Sequence, residues 1–288
     1  YGDHRDLHTA YRRQRQMCIR DRICPWRLDP LVLWRVKPWS GLWKGPWSRR
    51  HSLGGARLHL EVFVLGVVLV AVPYFSTNNI ASMYLETVWD PEIALDRELP
   101  VVNWMILPYA LLYLFYPATL ILCPRSERGQ AELVVGMQTL IMVTAFCCAI
   151  FLLLPAEIDM RDQIDWDSLN GWEHALFEFI HFSDNPWNAW PSLHIVHSYL
   201  LARLMTVWAS RRAAESSAWN LFLVVLWVEW ALLCISILTT KQHYLFDLVT
   251  GIAVAQLAWI WAASHLDRID DIGAKKFSIE VGWEMPNA

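Results

Sequence analysis

The stretch "KQHYLFD" (241–247) stands at the start of a long apolar run, where an unpaired buried charge is costly. His243 and Asp247 are four positions apart, so a helix puts them on one face and lets the carboxylate accept a hydrogen bond from the imidazole. A histidine made more basic in this way can attack phosphorus, and Lys241 can supply positive charge to phosphoryl oxygens. The stretch therefore predicts part of a catalytic site.

A second polar stretch, "NAWPSLHIVHSYLL", opens another apolar run. Pro191 suits the first turn of a helix, so Ser192 and His194 lie at a helix N-terminus, where free backbone N–H groups favour an anion. Ser192, these amides and Arg161 are candidate donors to phosphoryl oxygens, and His194 is the candidate acid for the leaving oxygen. Fixed cations would neutralise the phosphoryl charge, so neither a metal nor another cofactor is expected.

The rest of the chain must hold these stretches in a membrane. The chain has 288 residues, 55% of them hydrophobic, with 18 tryptophans and a formal net charge of −4. Its apolar residues cluster in runs near the roughly 20 residues that a helix needs to cross a bilayer. We expect an all-α polytopic bundle of six transmembrane helices, at about 58–75, 101–123, 133–155, 189–210, 218–240 and 244–265.

The predicted organisation has three parts: a basic, Trp-rich N-terminal segment (1–56), a six-helix catalytic domain (57–265) and a cytoplasmic tail (266–288). Residues 1–22 show no periodicity and are interpreted as non-native or disordered. Tryptophans beside basic residues in 23–56 favour attachment at the lipid headgroup layer, with a disordered basic leader as the alternative. The cysteine spacing indicates neither a disulfide framework nor a zinc site.

Charge predicts the orientation of the bundle. Basic residues crowd the N-terminal segment and form three later pairs on the same side, Arg125/Arg128, Arg211/Arg212 and Lys275/Lys276, whereas the opposite loops are acidic. The positive-inside rule makes the basic side, with both termini, cytoplasmic. The two polar stretches then start on the outer side, whether periplasmic, extracellular or lumenal, and are predicted to meet there.

These residues resemble two signatures of the type 2 phosphatidic-acid phosphatase superfamily. "PSLH" at 191–194 is similar to the P-S-G-H pattern, and "SILTTKQHYLFD" at 236–247 keeps the serine, histidine and aspartate of S-R-x5-H-x3-D. The resemblance, over about 133–263, implies a six-helix membrane bundle that hydrolyses phosphomonoesters or diphosphates through a phosphohistidine. It implies His243 as nucleophile, Asp247 as its partner and His194 as general acid.

Several positions depart from the family patterns. The K-x6-R-P signature survives as "LPAEIDMRD", with Leu154 in the lysine place and Asp162 in the proline place. Leu193 replaces the glycine of the second pattern and Ile237 the arginine of the third. Two phosphate-binding cations are thus missing, and Lys241 is the candidate substitute for one. The stretches "PSLH" and "TTKQHY" look more like the branch near inositol-phosphorylceramide synthases. That branch includes transferases, which transfer the phosphoryl headgroup to an alcohol.

The favoured function is a lipid phosphate phosphatase whose substrate, a lipid phosphate or lipid diphosphate, reaches the site sideways from the bilayer. The two-histidine scheme predicts a bell-shaped pH profile. A headgroup transferase is the alternative of the same class. A non-catalytic membrane binder or transporter also stays open, as does a serine hydrolase using Ser192, which lacks a strand–turn–helix elbow. No nucleic-acid partner is expected, and the oligomeric state is not predicted.

Other polar residues have simpler interpretations. His197 could form a metal pair with His174 or His181, but the spacing lacks a carboxylate or cysteine partner, so a packed or hydrogen-bonded bundle residue is favoured. His174 and His181 are placed on a surface helix along the membrane, where they could line the substrate entrance. Arg203 and Glu229, in the middle of spans four and five, predict a structural ion pair.

Overall fold

A computed structural model describes residues 36–286, and every regular element within that range is helical. This confirms the all-α prediction, while the interpretation of residues 1–22 lies outside the described residues. The helices are α1 (Ser40–Ser48), α2 (Arg57–Tyr84, with a π-helical turn at Val67–Ala71), α3 (Ala94–Glu98), α4 (Ile106–Leu122), α5 (Glu127–Leu153), α6 (Gly171–Ser183), α7 (Leu193–Arg212), α8 (Ser217–Thr239), α9 (Leu245–Ile272) and α10 (Ala274–Glu280).

Five helices in the described range are long and apolar enough to cross a membrane: α2, α4 with its preceding turn, α5, α8 and α9. The predicted fourth span is a helix, α7, but it is not among these five, so the predicted count of six is not confirmed. Most of α7 is buried by other helices. A helix enclosed by protein does not need an apolar outer surface, which explains why its composition is more polar.

Helix α7 occupies the centre of the bundle, where it packs against α4, α5, α8 and α9, and α2 packs against α5. The outer helices present apolar side chains away from the protein, including Val68 of α2 and Val224 and Val228 of α8. An exposed apolar surface of this extent is typical of contact with lipid. The architecture is therefore that of an integral membrane protein.

A tight turn between α8 and α9 sets the position of His243. Lys241 has a positive φ of 60°, a conformation that reverses the chain direction at the end of α8. The carbonyl oxygen of Ile237 accepts hydrogen bonds from the backbone N–H groups of both Gln242 and His243, at 3.1 and 3.0 Å. His243 is thereby fixed just before the first residue of α9.

A buried carboxylate joins α5 to α7 at the end of the bundle that is opposite His243. Glu132 is 0% exposed and accepts hydrogen bonds from Trp208 Nε1 at 2.7 Å and from Arg128 Nε at 3.1 Å. It also forms a salt bridge of 2.7 Å with Arg211. Because α7 begins at the His194 end and finishes in this cluster, the cluster anchors the helix that carries the site.

Helix α1 belongs to the Trp-rich segment and packs on the bundle. The indole nitrogen of Trp43 donates to Gln138 Oε1 of α5 at 2.9 Å, and the ring of Trp47 lies 5.3 Å from that of Trp283. Both Trp43 and Trp47 are 0% exposed. In the described part of the segment these two rings are therefore buried in protein, a packing that the sequence did not predict.

The predicted ion pair between Arg203 and Glu229 is wrong. The guanidinium of Arg203 lies over the ring of Trp259 of α9, 4.7 Å from its centroid, and over that of Tyr199 at 5.9 Å. Glu229 has a buried Oε1 atom with no hydrogen-bond partner among the described residues. Arg203 points to α9 rather than α8, and aromatic faces supply the interaction that a carboxylate was expected to give.

Candidate active site

The two polar stretches meet at one end of the bundle, where α7 begins and the α8–α9 turn ends. Nε2 of His243 lies 3.2 Å from Nδ1 of His194 and 3.3 Å from Oγ of Ser192. All three side chains are buried. The predicted meeting of the helix ends is confirmed, since both imidazoles can contact one small group placed between them.

Asp247 holds the far side of the His243 ring. Its Oδ2 atom accepts from Nδ1 of His243 at 3.1 Å and from the backbone N–H of Tyr244 at 2.9 Å. Asp247 is 0% exposed. One carboxylate oxygen thus orients the imidazole and also accepts from a free N–H at the start of α9. The four-residue spacing predicted the contact with the imidazole but not the contact with the N–H.

The proton positions are assigned from the hydrogen-bond partners, with Asp247 ionised. Asp247 as a carboxylate only accepts, so Nδ1 of His243 carries a hydrogen and its Nε2 has the free lone pair. Nδ1 of His194 must then donate to that lone pair. Nε2 of His194 lies 3.0 Å from the hydroxyl of Tyr109, which donates to it when His194 is neutral. The resting site therefore offers a nucleophilic nitrogen on His243, with the proton-bearing Nδ1 of His194 beside it.

A glycine lets α9 approach the start of α7. A Cβ atom built on Gly251 would lie 3.0 Å from the carbonyl oxygen of Ser192 and 3.1 Å from Cβ of Ile195. Near that point the backbone N–H of Ser192 donates to the carbonyl oxygen of Asp247 at 3.2 Å. The close approach that brings His243 to His194 therefore depends on the missing side chain at 251.

A second carboxylate, which the sequence analysis missed, lies behind His194. Oδ2 of Asp184 is 3.7 Å from Nε2 of His194, and Oδ1 accepts from the hydroxyl of Tyr74 at 2.8 Å and from Asn78 Nδ2 at 3.2 Å. Burial raises the pKa of the Asp184 carboxyl, and the hydrogen bond from Tyr74 and the charge of Arg161 oppose that rise. Nothing in the sequence singled out Asp184 from the other acidic residues of its loop.

Arg161 lies beside the site and is held there by a backbone contact, while its predicted role in binding phosphate stays a prediction. Its Nη2 atom donates to the carbonyl oxygen of Asp184 at 2.8 Å, and its buried Nε atom has no hydrogen-bond partner among the described residues. Burial lowers the pKa of the Arg161 guanidinium, opposed by the charge of Asp184. An arginine that is held on one nitrogen and open on another can still bind an anion.

Lys241 is placed differently from its predicted role. Its ammonium is buried and donates to the carbonyl oxygen of Asp96 at 2.6 Å, and burial lowers the pKa of its amine. In the described range no hydrogen bond joins Lys241 to Ser192 or to either imidazole. The structure therefore brings Ser192, His194, His243, Asp247 and Arg161 together, but it uses Lys241 to fix the turn that precedes α9.

Two of the positions that depart from the family patterns, Leu154 and Ile237, carry apolar side chains where the patterns have cations. Ile237 is 0% exposed and packs in the core beside Leu233 and Ile195, while Leu154 is 41% exposed at the end of α5. Neither supplies a charge to the site. The positive charge described beside the imidazole pair is that of Arg161, which is hydrogen-bonded to the carbonyl oxygen of Asp184.

A cavity of about 370 Å³ extends from His194 along the bundle. Side chains of α2, α4, α5, α7 and α9 line it, and nearly all are apolar, including Phe63, Leu112, Leu140, Leu201 and Leu266. Tyr74 and Tyr116 line it near the polar end. The space can hold a hydrocarbon chain whose polar end faces the histidines.

The remaining histidines make other contacts. His197 is hydrogen-bonded within the bundle, to Tyr116 at 2.7 Å and to Thr144 at 2.9 Å, as predicted. His181 lies 3.1 Å from Gln242 Nε2, and burial lowers its pKa to about 4. His174 faces Glu178 at 3.9 Å. Across residues 36–286 no group of three or more His, Cys, Asp or Glu side chains is arranged to hold a metal ion.

Comparison with known protein families identifies a match. Residues 83–261 match the sequence model of the PAP2 superfamily, which is more than half of the chain. The matched region runs from the end of α2 into α9 and contains both histidines and Asp247. Searches among curated proteins and among solved structures returned no significant match.

Proposed function

The chain belongs to the type 2 phosphatidic-acid phosphatase (PAP2) superfamily, and on that premise we propose that it is a membrane-embedded lipid phosphate phosphatase working through a phosphohistidine. Membership supports an enzyme of the phosphatase or related phosphotransferase type. The observation that carries the finer proposal is the 3.2 Å contact between Nε2 of His243 and Nδ1 of His194, with Asp247 bound behind His243.

In the first step Nε2 of His243 attacks phosphorus. A nitrogen–phosphorus bond forms while the bond from phosphorus to the lipid oxygen breaks, and protonated His194 gives its proton to that oxygen. The products are a free lipid alcohol and phosphorylated His243. The phosphoryl group takes the place of the His194–His243 hydrogen bond, and its oxygens accept from Ser192, Arg161 and the first N–H groups of α7.

In the second step His194 takes a proton from water, and the water oxygen attacks phosphorus. The nitrogen–phosphorus bond breaks, inorganic phosphate leaves, and His194 is again protonated while His243 is neutral. Asp247 keeps Nδ1 of His243 protonated throughout, so Nε2 remains the reacting nitrogen. If an alcohol attacks instead of water, the same step makes a new phosphoester.

A headgroup transferase is the second candidate, and the small number of cations at the site supports it. Leu154 and Ile237 remove two cations of the family patterns, and Lys241 is bound to Asp96 instead. A phosphodiester carries one negative charge at neutral pH, whereas a monoester carries nearly two. A site with fewer cations is better suited to the diester substrates that a transferase uses.

The cavity and the arrangement of charges support a lipid substrate at the outer face. The apolar cavity ends at His194, so a chain held in it presents its phosphate to the imidazole pair. Arg211 and Arg212 lie at the far end of α7 from the site, and Lys275 and Lys276 lie beyond the far end of α9. The positive-inside rule favours a cytoplasmic position for that far end, which supports a site on the outer side.

The test is to incubate the purified protein with a panel of lipids labelled with ³²P in the headgroup: monoesters, diphosphates and diesters, each with and without alcohol acceptors. Release of free phosphate supports the phosphatase, and a new phosphodiester supports the transferase. An acid-labile labelled protein trapped by rapid quenching supports the phosphohistidine.

Two variants separate catalysis from binding. His243→Ala is expected to abolish both turnover and the labelled protein. His174→Ala, at an exposed position of α6, is the matched control that keeps them. If the wild type binds a lipid phosphate but never releases or transfers phosphate, the protein is a binder and the proposal is wrong. Turnover that persists in His243→Ala would also refute the phosphohistidine.

A further inference from the structure

We propose that Asp184 is a positioning residue for His194, so that each of the two imidazoles has its own carboxylate beside it. Side chains of α2 hold Asp184 in place. The inference rests on the proposed function, because it concerns the general acid of the same reaction. It adds a residue that lies outside the motifs and a helix whose relevant side chains precede the matched region 83–261.

The two carboxylates lie on the far sides of the imidazole pair. Asp247 is hydrogen-bonded to its imidazole, whereas Asp184 stands at ion-pair distance from His194 Nε2, whose hydrogen-bond partner is the hydroxyl of Tyr109. Asp247 contacts Nδ1 of His243, the nitrogen that faces away from His194. Asp184 lies 3.7 Å from Nε2 of His194, the nitrogen that faces away from His243. Each carboxylate therefore stands behind its imidazole, and the two nitrogens that face each other remain for the reacting group.

Asp184 is held by side chains that are far from it in sequence. Tyr74 donates its hydroxyl to Oδ1 at 2.8 Å, and Asn78 donates to the same oxygen at 3.2 Å. The Asn78 side chain also binds the next residue, with Nδ2 donating to the carbonyl oxygen of Asn185 at 2.7 Å and Oδ1 accepting from its N–H at 3.0 Å. With Oδ1 occupied, Oδ2 is left facing His194.

The groups around His194 make such a carboxylate necessary. Those that face it are the Tyr109 hydroxyl of α4, the guanidinium of Arg161, the imidazole of His243 in the α8–α9 turn, and His197 one turn along α7. Burial is the largest influence against a positive charge on His194, and the cation and the two imidazoles add to it, whereas Tyr109 is neutral. A buried carboxylate at 3.7 Å offsets them and favours the protonated His194 that the first step requires.

The consequence for the reaction is a shift of one limb of the pH profile. Protonated His194 is the acid, so the fall of turnover at alkaline pH follows its titration. Removing an opposite charge within 4–6 Å should lower the midpoint of the alkaline limb by on the order of one pH unit. Asp184→Asn should therefore move the alkaline limb to lower pH and leave the acid limb nearly in place.

The leaving group gives a second readout that a merely structural role would not produce. With the best alkyl lipid phosphate from the panel, Asp184→Asn should slow turnover roughly 10- to 100-fold, since an alkoxide needs the acid. With 4-nitrophenyl phosphate, whose leaving group needs no proton, the loss should be less than about threefold. Asp184→Glu, which keeps the charge, should restore most of the wild-type profile.

The control is Asp165→Asn, the same change at an exposed aspartate of the neighbouring loop, with the wild-type profile expected. If folded Asp184→Asn keeps the wild-type alkaline limb while His243→Ala is inactive, the inference is overturned and the proposed function stands. If His243→Ala remains active, the proposed function itself fails. If Asp184→Asn does not fold, Tyr74→Phe decides: a smaller shift in the same direction supports the inference, and an unchanged limb overturns it.

Discussion

Gly251→Ala tests the spatial basis of the site with a single methyl group. The change lies in α9, one helical turn after Asp247, and touches none of the proposed reacting groups. A Cβ atom at 251 would lie 3.0 Å from the carbonyl oxygen of Ser192, and ordinary van der Waals contact begins at 3.4 Å. The partner is backbone, which cannot rotate away as a side chain can. Helix α9 must therefore move from the start of α7.

The size of the movement sets the expected loss. Restoring ordinary contact requires about 0.4 Å, and His243, which precedes α9, moves with that helix. A misplacement of about 1 Å can cost about 100-fold in rate, so roughly 0.4 Å should lower kcat about 5- to 10-fold. Gly251→Val adds two more methyl groups and should lower kcat by more than about 50-fold on the same scale.

The assay is turnover of the best lipid substrate, with thermal unfolding in detergent measured on the same samples. Gly171→Ala is the matched control, because a Cβ there meets no atom within 4 Å. Alanine is favoured over glycine in a helix by about 1 kcal/mol, so lower activity without a matching loss of stability would identify misplacement as the cause. Wild-type turnover in folded Gly251→Val would refute the claim that this approach positions His243.

Three other predictions concern the carboxylate of Asp247, the buried Glu132 and the imidazole of His181. Asp247→Asn should lower kcat about 10²- to 10⁴-fold, because the amide cannot stabilise the protonated partner as a carboxylate does; the measurement is turnover together with phosphoenzyme yield. Glu132→Ala should lower the free energy of unfolding, measured by denaturation, by about 1–3 kcal/mol, since it leaves the buried Trp208 Nε1 unpaired. The half-exposed Arg128 and Arg211 keep Asp270 as a partner and add little to the loss. The pKa of His181 is about 4, so the unfolded chain binds more protons below pH 6.5. Thermal stability should therefore fall as the pH drops from about 6.5 to about 4, and His181→Gln should reduce that fall.

The sequence predicted the parts of the site that depend on local geometry. The four-residue spacing of His243 and Asp247 places both on one helical face, and Ser192 was expected at a helix start because Pro191 precedes it. Orientation by charge then put both stretches at the same end, where they meet. These inferences succeed because helix periodicity and helix termini are determined by residues close in sequence.

Contacts between segments far apart in sequence were not predictable in this way. Asp184 is one of many acidic residues in its loop, and its role depends on Tyr74 and Asn78, more than 100 positions earlier. Lys241 was assigned to phosphate because of its neighbours in sequence, yet a positive φ turns it to Asp96. Depth in the membrane pairs Arg203 with Glu229 of α8. In the structure the Arg203 guanidinium instead lies over the rings of Tyr199 and Trp259, on α7 and α9.

The polarity of α7 connects the fold to the proposed chemistry. A transmembrane helix at the edge of a bundle must be apolar, because lipid cannot hydrogen-bond its side chains. A helix that carries two imidazoles and an arginine in its middle is stable only where other helices supply partners: Tyr109 and Tyr116 from α4, Thr144 from α5, and Trp259 from α9. The same enclosure excludes water from His194 and His243, which strengthens the electrostatic interactions that phosphoryl transfer needs. The helix that least resembles a membrane span is therefore the one that the proposed reaction requires at the centre.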